Sequence, residues 1–322
     1  MMMSEPEVLI SFVIPVLNGE RDMAACLDSI MANVAPQDEI ILVDNGSTDS
    51  TLEIASRYDC LSILKHPECT IAGLRNRGAA RARGSIIAFI DADCVVCPGW
   101  REAVVSILSR ENVHATGSIS VLPEQPSWVE RVWLSERKGT ERTVNYIPSA
   151  NFIIRKEVFE AVGGFDETLV TDEDSDIGAR LNQRGFTILD SPEVRVIHLG
   201  NAKTLRQFAW RQKWHAISML DRFDWRRPDK PAVMTFLFAL TIILAFAVMP
   251  VLARAGVTPW WGLLLIALSP VLTAVYRTLQ YSNYRYFLHL VVLYFVYYFV
   301  RVIALIQQFP RLLRGEPRDV HA

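Results

Sequence analysis

Short unbroken apolar runs alternate with longer stretches in which apolar residues recur every three or four positions, and this pattern fills the first part of the chain. Residues 8–14 form an apolar run ending at Pro15 and predict a buried strand, and 39–43, 61–64 and 85–90 predict three more. Between them lie helical spacings: 20–34, with Met23, Leu27, Ile30 and Met31 on one stripe; 47–58, with Ser47 or Thr48 as its cap; and 72–83, basic on one side. A β-α-β-α-β-α-β order of this kind predicts a mostly parallel sheet covered by helices on both faces. From 100 to 210 the pattern loosens. It predicts helices at 100–109, 127–138, 156–162 and 174–184, with strands at 115–121, 151–154, near Thr187 and at 194–198. No internal repeat and no low-complexity segment interrupts it.

Beyond residue 230 the pattern changes to long uncharged apolar stretches, which divides the chain into a soluble α/β domain, 1–230, and a membrane region, 231–322. Residues 232–253 have the length needed to cross a bilayer, 260–276 are shorter with aromatic residues at both edges, and 286–309 are interrupted by His289 and Arg301. Arg222, Arg226, Arg227 and Lys230 precede the first stretch, so the excess of positive charge on the cytoplasmic side predicts a multi-pass protein of the cell membrane with its soluble domain in the cytoplasm. The later charges conflict. Arg277 and Arg285 place the loop between the second and third stretches inside, whereas Arg311, Arg314 and Arg318 place the C-terminus inside as well. Three full crossings cannot satisfy both, so either the third stretch is interfacial or re-entrant, or the tail violates the charge bias.

Composition adds two exclusions. The formal net charge is −2 and the pI about 6.3, so nothing marks the chain as a nucleic-acid binder. The five cysteines, Cys26, Cys60, Cys69, Cys94 and Cys97, are odd in number and too sparse for a disulfide framework. Reduced thiols facing the cytoplasm are the expectation, consistent with an N-terminus that lacks a basic flank and long apolar core. Cys94 and Cys97 have the spacing of a redox or zinc motif, but only scattered Cys69 and His66 could complete a zinc set. Small buried apolar residues are the plainer reading of both.

In parallel sheets, ligands bind beyond the carboxyl ends of the strands. The polar residues there are Asn18, then Asp44 and Asn45, then Asp91 and Asp93. If the strand stays extended through Asp91-Ala92-Asp93, both carboxylates point to one side and suit a hard divalent ion bridging to phosphate oxygens. A solvated turn is the alternative reading of the same residues. A second acidic group, Thr171 to Asp176, opens a helix after Gly163-Gly164-Phe165-Asp166. Helix capping accounts for one or two of its carboxylates. A calcium loop fails, because Ile177 stands where the turn glycine is required and Gln183 where the bidentate Glu belongs. Such a loop can supply a general base to a hydroxyl. No phosphate-binding P-loop, dinucleotide fingerprint or nucleophile elbow is present, which counts against kinase, dehydrogenase and hydrolase readings.

Four segments in order resemble the family 2 glycosyltransferases of GT-A fold: Val13-Ile14-Pro15-Val16-Leu17-Asn18-Gly19-Glu20; Ile41-Leu42-Val43-Asp44-Asn45-Gly46-Ser47-Thr48-Asp49; Ile86 through Asp93; and the Gly-Gly-Phe-Asp segment followed by Glu173-Asp174-Ser175-Asp176. The resemblance covers roughly 8–198. It implies that Pro15, Asn18 and Glu20 line the nucleoside pocket and that Asp44 contacts the donor's base. It implies further that Arg75 and Asn76 lie near the nucleotide, that Asp91 and Asp93 serve metal and diphosphate with Asp93 the direct ligand, and that Asp174 is the catalytic base; a surface salt bridge on a helix is the alternative for Arg75. His198 matches a third metal ligand of some relatives, and a satisfied core histidine is its alternative. Gln207-Phe208-Ala209-Trp210-Arg211 lacks the order of the processive enzymes' motif, which argues against a processive synthase. Trp210 and Trp214 share a helix face and read as core or interface packing.

The implied activity is inverting, Mg²⁺- or Mn²⁺-dependent transfer of a sugar from a nucleotide-sugar donor to a glycan or polyprenyl-linked acceptor. Its setting would be cell-surface polysaccharide or glycolipid synthesis, with membrane lipid as a partner and no nucleic acid. A sugar nucleotidylyltransferase and a non-catalytic nucleotide-binding membrane protein are the competing readings.

Overall fold

The computed structural model describes residues 9–118, 120–134, 140–216, 219, 230–256, 258 and 260–314. By packing, the chain divides into two compact units, one of residues 1–124 and 137–201 and one of 125–136 and 202–322.

In the first unit, β1 (Ile10–Val16), β2 (Glu39–Asp44), β3 (Leu61–Lys65) and β4 (Ile86–Ile90) are parallel neighbours in the order β3-β2-β1-β4. Every residue of β1 and β4 is buried, as strands covered on both faces require. β1 runs on through Pro15 rather than stopping before it. Pairing with β4 ends at Val13, so Pro15 is flanked by β2 alone, where a missing amide is tolerated. Between the strands lie α1 (Met23–Met31), α2 (Thr51–Ala55) and α3 (Ile71–Arg81), the last capped by Thr70 Oγ1, which accepts from Gly73 N at 3.1 Å. α2 is shorter than the sequence predicts, and neither Ser47 nor Thr48 caps it. Side chains hold five backbone amides between 46 and 51 in a loop: Asp44 accepts from Gly46 and Ser47, Asn18 from Thr48, Glu20 from Ser50 and Asp49 from Thr51.

β5 (Cys94–Val96), α4 (Trp100–Leu108), β6 (Ala115–Gly117), β7 (Arg142–Val144), β8 (Asn151–Arg155), α6 (Lys156–Ala161), α7 (Glu173–Gln183), β9 (Ile188–Asp190) and β10 (Val196–His198) complete this unit, with α5 (Trp128–Leu134) leaving it after β6. β8 pairs antiparallel with β4 and carries the sheet on through β6, β9 and β7. β5 and β10 form a separate antiparallel pair. One core, with α1 and α4, lies on one face of the sheet; the other, with α3, α6 and α7, lies opposite. This is the helix-covered, mostly parallel sheet that the alternation predicts. Buried Asn151 ties it together, accepting from Trp100 Nε1 at 3.2 Å and donating to the Val194 carbonyl at 2.8 Å.

The second unit holds α5, α8 (Leu205–His215), α9 (Lys230–Arg254), α10 (Trp260–Tyr281), a 3₁₀ turn at Tyr284–Tyr286 and α11 (Phe287–Arg314). A capping box between Thr204 and Gln207 starts α8. Val129, Val132, Phe208, Ala274, Leu290 and Leu293 form one apolar cluster, which is why α5 and α8 group with the apolar helices. Three helical segments, Lys230–Val251, Trp260–Tyr281 and Tyr284–Phe309, are long and apolar enough to cross a membrane, with mean hydropathies of 2.6, 1.6 and 2.1. Arg222, Arg226 and Arg227 lie outside the described residues, as does Arg318.

Candidate active site

β1 reaches β2 on one side and β4 on the other, so the sheet's switch point lies between the loops that follow β1 and β4. The loops after β1 and β2 are stitched together beyond the strand ends. Asn18, in a left-handed conformation at φ 53°, accepts from Thr48 N at 2.9 Å and donates its own amide to Ser47 Oγ at 2.9 Å. Glu20 accepts from Ser50 N, and its amide donates to Asp49 Oδ2, both at 3.1 Å. Pro15 is buried within β1. Asp44 is only 1% exposed, with its carboxylate accepting the Gly46 and Ser47 amides at 3.0 and 3.1 Å.

The extended geometry expected of Asp91-Ala92-Asp93 does not persist. β4 ends at Ile90, and the Cys94 amide donates to the Asp91 carbonyl at 2.9 Å, closing a turn. The turn gives the two carboxylates different partners. Asp91 Oδ1 accepts from Arg75 Nη2 at 2.7 Å. Asp93 Oδ1 lies 3.5 Å from His198 Nε2. The second contact follows from the β5–β10 register, which sets His198 opposite Cys94. β5, three residues long, escapes a reading of apolar periodicity, and with it the reason for His198's position.

Arg75, on the first turns of α3, is 2% exposed rather than lying on the surface. Its Nη1 donates to Glu173 Oε1 at 2.6 Å, and the same oxygen accepts from Ser149 Oγ at 2.8 Å. One guanidinium thus links the end of β4 to the start of α7. Asn76 secures the Gly-Gly-Phe-Asp segment, donating to the Phe165 carbonyl at 2.8 Å and accepting the Phe165 amide at 2.9 Å. Sequence reading placed Glu173 in the acidic group without a role; the signal for one was a fully buried partner arginine, which no spacing reveals.

The other carboxylates of α7's first turn separate by partner. Asp176 accepts from Arg180 Nη2 at 2.6 Å, one turn on, a helix-surface pair. Asp174 is half-buried, accepts the Ser175 amide at 2.7 Å and forms no ion pair among the described residues. Burial, then the neighbouring Glu173 and Asp172 charges, push its carboxyl up to about 7. A carboxylate poised there can accept a proton from a hydroxyl at neutral pH.

Asp93 and His198 also form the group best suited to a cation. With Cys94, their donor atoms lie within 4.8 Å of one another. His198 is 7% exposed, and its Nδ1 has no hydrogen-bond partner among the described residues. A Cβ at Gly200 would collide with the Asp93 carboxylate, so only glycine leaves that carboxylate its room. Burial, followed by the Asp91 and Asp93 charges, pushes the Cys94 thiol well up, which leaves carboxylate and imidazole as the donors. That set fits a divalent cation completed by phosphate oxygens. All five cysteines are free, and among the described residues Cys94 and Cys97 do not gather with Cys69 and His66 into a metal set. A cavity of 310 Å³ in the second unit is lined by Trp128, Arg131, Val132, Arg285, Tyr286 and His289, none of them a residue of this site.

Residues 11–163 match the model of a family described as glycosyl transferase family 2. Glycosyltransferase AglE of Haloferax volcanii is 28% identical over 256 residues, covering 75% of this chain and 82% of AglE. The O-antigen biosynthesis protein RfbC of Myxococcus xanthus is 30% identical over 218 residues, 59% of this chain but 17% of RfbC. Among solved structures, the mannosyltransferase PcManGT from Pyrobaculum calidifontis, in complex with GDP-Man and Mn²⁺, is similar with a TM-score of 0.61 and 18% identity, covering 91% of this chain and 86% of PcManGT. That likeness is one of fold.

Proposed function

We propose that this chain, which matches glycosyl transferase family 2 over residues 11–163 and has the GT-A fold, moves a sugar from a nucleotide-sugar donor to a hydroxyl of a glycan or lipid-linked acceptor, with inversion, in cell-surface polysaccharide or glycolipid synthesis. The observation that supports this most is the Arg75 bridge, which brings the Asp91 turn and the acidic start of α7 to one guanidinium.

In this reading the stitched loops after β1 and β2 bind the nucleoside, with Pro15, Asn18, Glu20 and Asp44 shaping its pocket. Asp174 takes the proton from the acceptor hydroxyl. The hydroxyl oxygen forms a bond to the anomeric carbon as the bond to the diphosphate breaks on the opposite face, which inverts the centre. Arg75 fixes Asp91 and Glu173, and so keeps donor and base elements in register. Asp93 and His198 would hold a divalent cation, which when bound neutralises the charge of the nucleoside diphosphate leaving group.

Residues 1–230 serve as the catalytic domain facing the cytoplasm, where nucleotide sugars are made, and 231–322 as the membrane region. A polyprenyl-linked acceptor suits that anchorage and the basic residues Arg206, Arg211 and Lys213 of α8. The test incubates membranes containing the full chain with UDP-, GDP- and dTDP-sugars, with Mn²⁺, with Mg²⁺ or with chelator, and determines the anomer of the product. Metal-dependent transfer with inversion is expected. Retention, or transfer indifferent to chelation, overturns the mechanism.

A further inference from the structure

α11 is the longest apolar helix among the described residues, and two of its polar groups point inward while His289 and Gln307 are exposed. Arg301 and Gln308 are each 7% exposed, whereas Leu288, Val292, Phe295, Phe299, Ile306 and Phe309 form an outward apolar stripe at helical spacing. The buried polar groups meet the segment at the end of α8. Gln308 Nε2 donates to the Ala216 carbonyl at 3.0 Å, and Arg301 Nη2 lies 3.5 Å from Met219 Sδ. At the other end of the contact, Phe208 of α8 shares a cluster with Leu290 and Leu293. α8, about 16 Å long, and its exit therefore touch α11 at points between Leu290 and Gln308, about 27 Å apart at the α-helical rise.

That separation approaches the hydrocarbon thickness of a bilayer, about 30 Å. Were α11 to cross, α8 would be drawn through the acyl chains beside it. α8 has only the eleven residues Leu205–His215, too few to span, and it carries Arg206, Arg211 and Lys213. The hairpin of α9 and α10 meets α11 through Thr273 and Tyr298, which share a hydrogen bond at 2.9 Å, through Arg277 Nη1, which donates to Tyr294 at 3.1 Å, and through Phe238 of α9, whose ring lies 5.5 Å from that of Tyr298. Thr273 and Arg277 both lie in the second half of α10. Arg277 also donates to the Trp133 carbonyl of α5 at 2.6 Å, and α5, seven residues long between β6 and β7, cannot cross either.

We infer that α11 does not cross the bilayer but lies in its interface beside α8, with the Leu288-to-Phe309 stripe turned into the acyl chains of one leaflet and with α9 and α10 as the two crossings. The partner of this surface is the lipid leaflet itself, which fits an apolar stripe continuous with membrane helices and backed by basic residues. The arrangement also removes the charge conflict in the sequence. Lys230, Arg277, Arg285, Arg311, Arg314 and Arg318 then share one side, and Arg254 lies at the opposite turn of the hairpin.

The test uses the full-length chain in sealed vesicles of known orientation. Epitopes are inserted after Gly256 or after Ala322, and their accessibility is compared with that of the catalytic domain. The Ala322 epitope is expected on the catalytic side and the Gly256 epitope on the other; an Ala322 epitope opposite the catalytic domain overturns the proposal. A second arm introduces a spin-labelled unnatural residue at Val292, Phe299 or Ile306 and measures its depth. Equal shallow depths are expected, while a steady descent from Val292 to Ile306 identifies a crossing or re-entrant helix and overturns it. Neither arm depends on the sugar, the acceptor or any activity.

Discussion

Arg75 and Glu173 meet at 2.6 Å across 98 residues of chain, and the guanidinium that joins them also holds Asp91. Both ends of the Glu173 pair are buried, so removing one partner leaves an uncompensated charge. Arg75→Met is expected to lower stability by about 3–5 kcal/mol, read as a lower Tm of the intact chain in detergent. Combining it with Glu173→Gln should cost less than the two single losses added together. Additive losses would mean the two side chains are not coupled.

Asp174→Asn keeps shape and removes the proton acceptor. Turnover should fall by about 10²–10⁴-fold, the usual worth of a general base, while the nucleotide titration stays within a small factor of the parent. Retained turnover would transfer the role of base to another carboxylate.

The same group sets a pH dependence. Its carboxyl is pushed up to about 7, chiefly by burial, and only the ionised form accepts a proton. The rate should therefore rise tenfold per pH unit below about 7 and level off above it. In Asp174→Glu, whose longer stem alters burial, the inflection should move. A profile flat from pH 5 to 8 would separate Asp174 from the rate.

Gly200 gives the Asp93 carboxylate its room. Gly200→Ala should push that carboxylate away from His198 and raise the metal concentration needed for half-maximal rate by about 10–100-fold. The pH inflection of Asp174 should remain where it was. An unchanged metal requirement would remove Asp93 from the cation site.

The central strands were legible because parallel strands buried on both faces appear as continuous apolar runs, and β2 and β4 begin and end within a residue or so of the prediction. The site was legible as far as its residues were attached to those strands. What escaped depended on partners distant in sequence. β5 and β7 have three residues each, too few to show a period, and they exist through pairing with β10 and β9. α2 lost its first turn to side chains of two loops that a helical pattern cannot see. Arg75 resembled a surface residue because its two carboxylate partners lie 16 and 98 residues away.

His198 reaches Asp93 through β10, one of the last strands of the first unit to be made. On a nascent chain the pair has no counterpart until that strand has left the ribosome. Biosynthesis itself thus delays assembly of the site, which cannot form on any fragment that stops short of Val196.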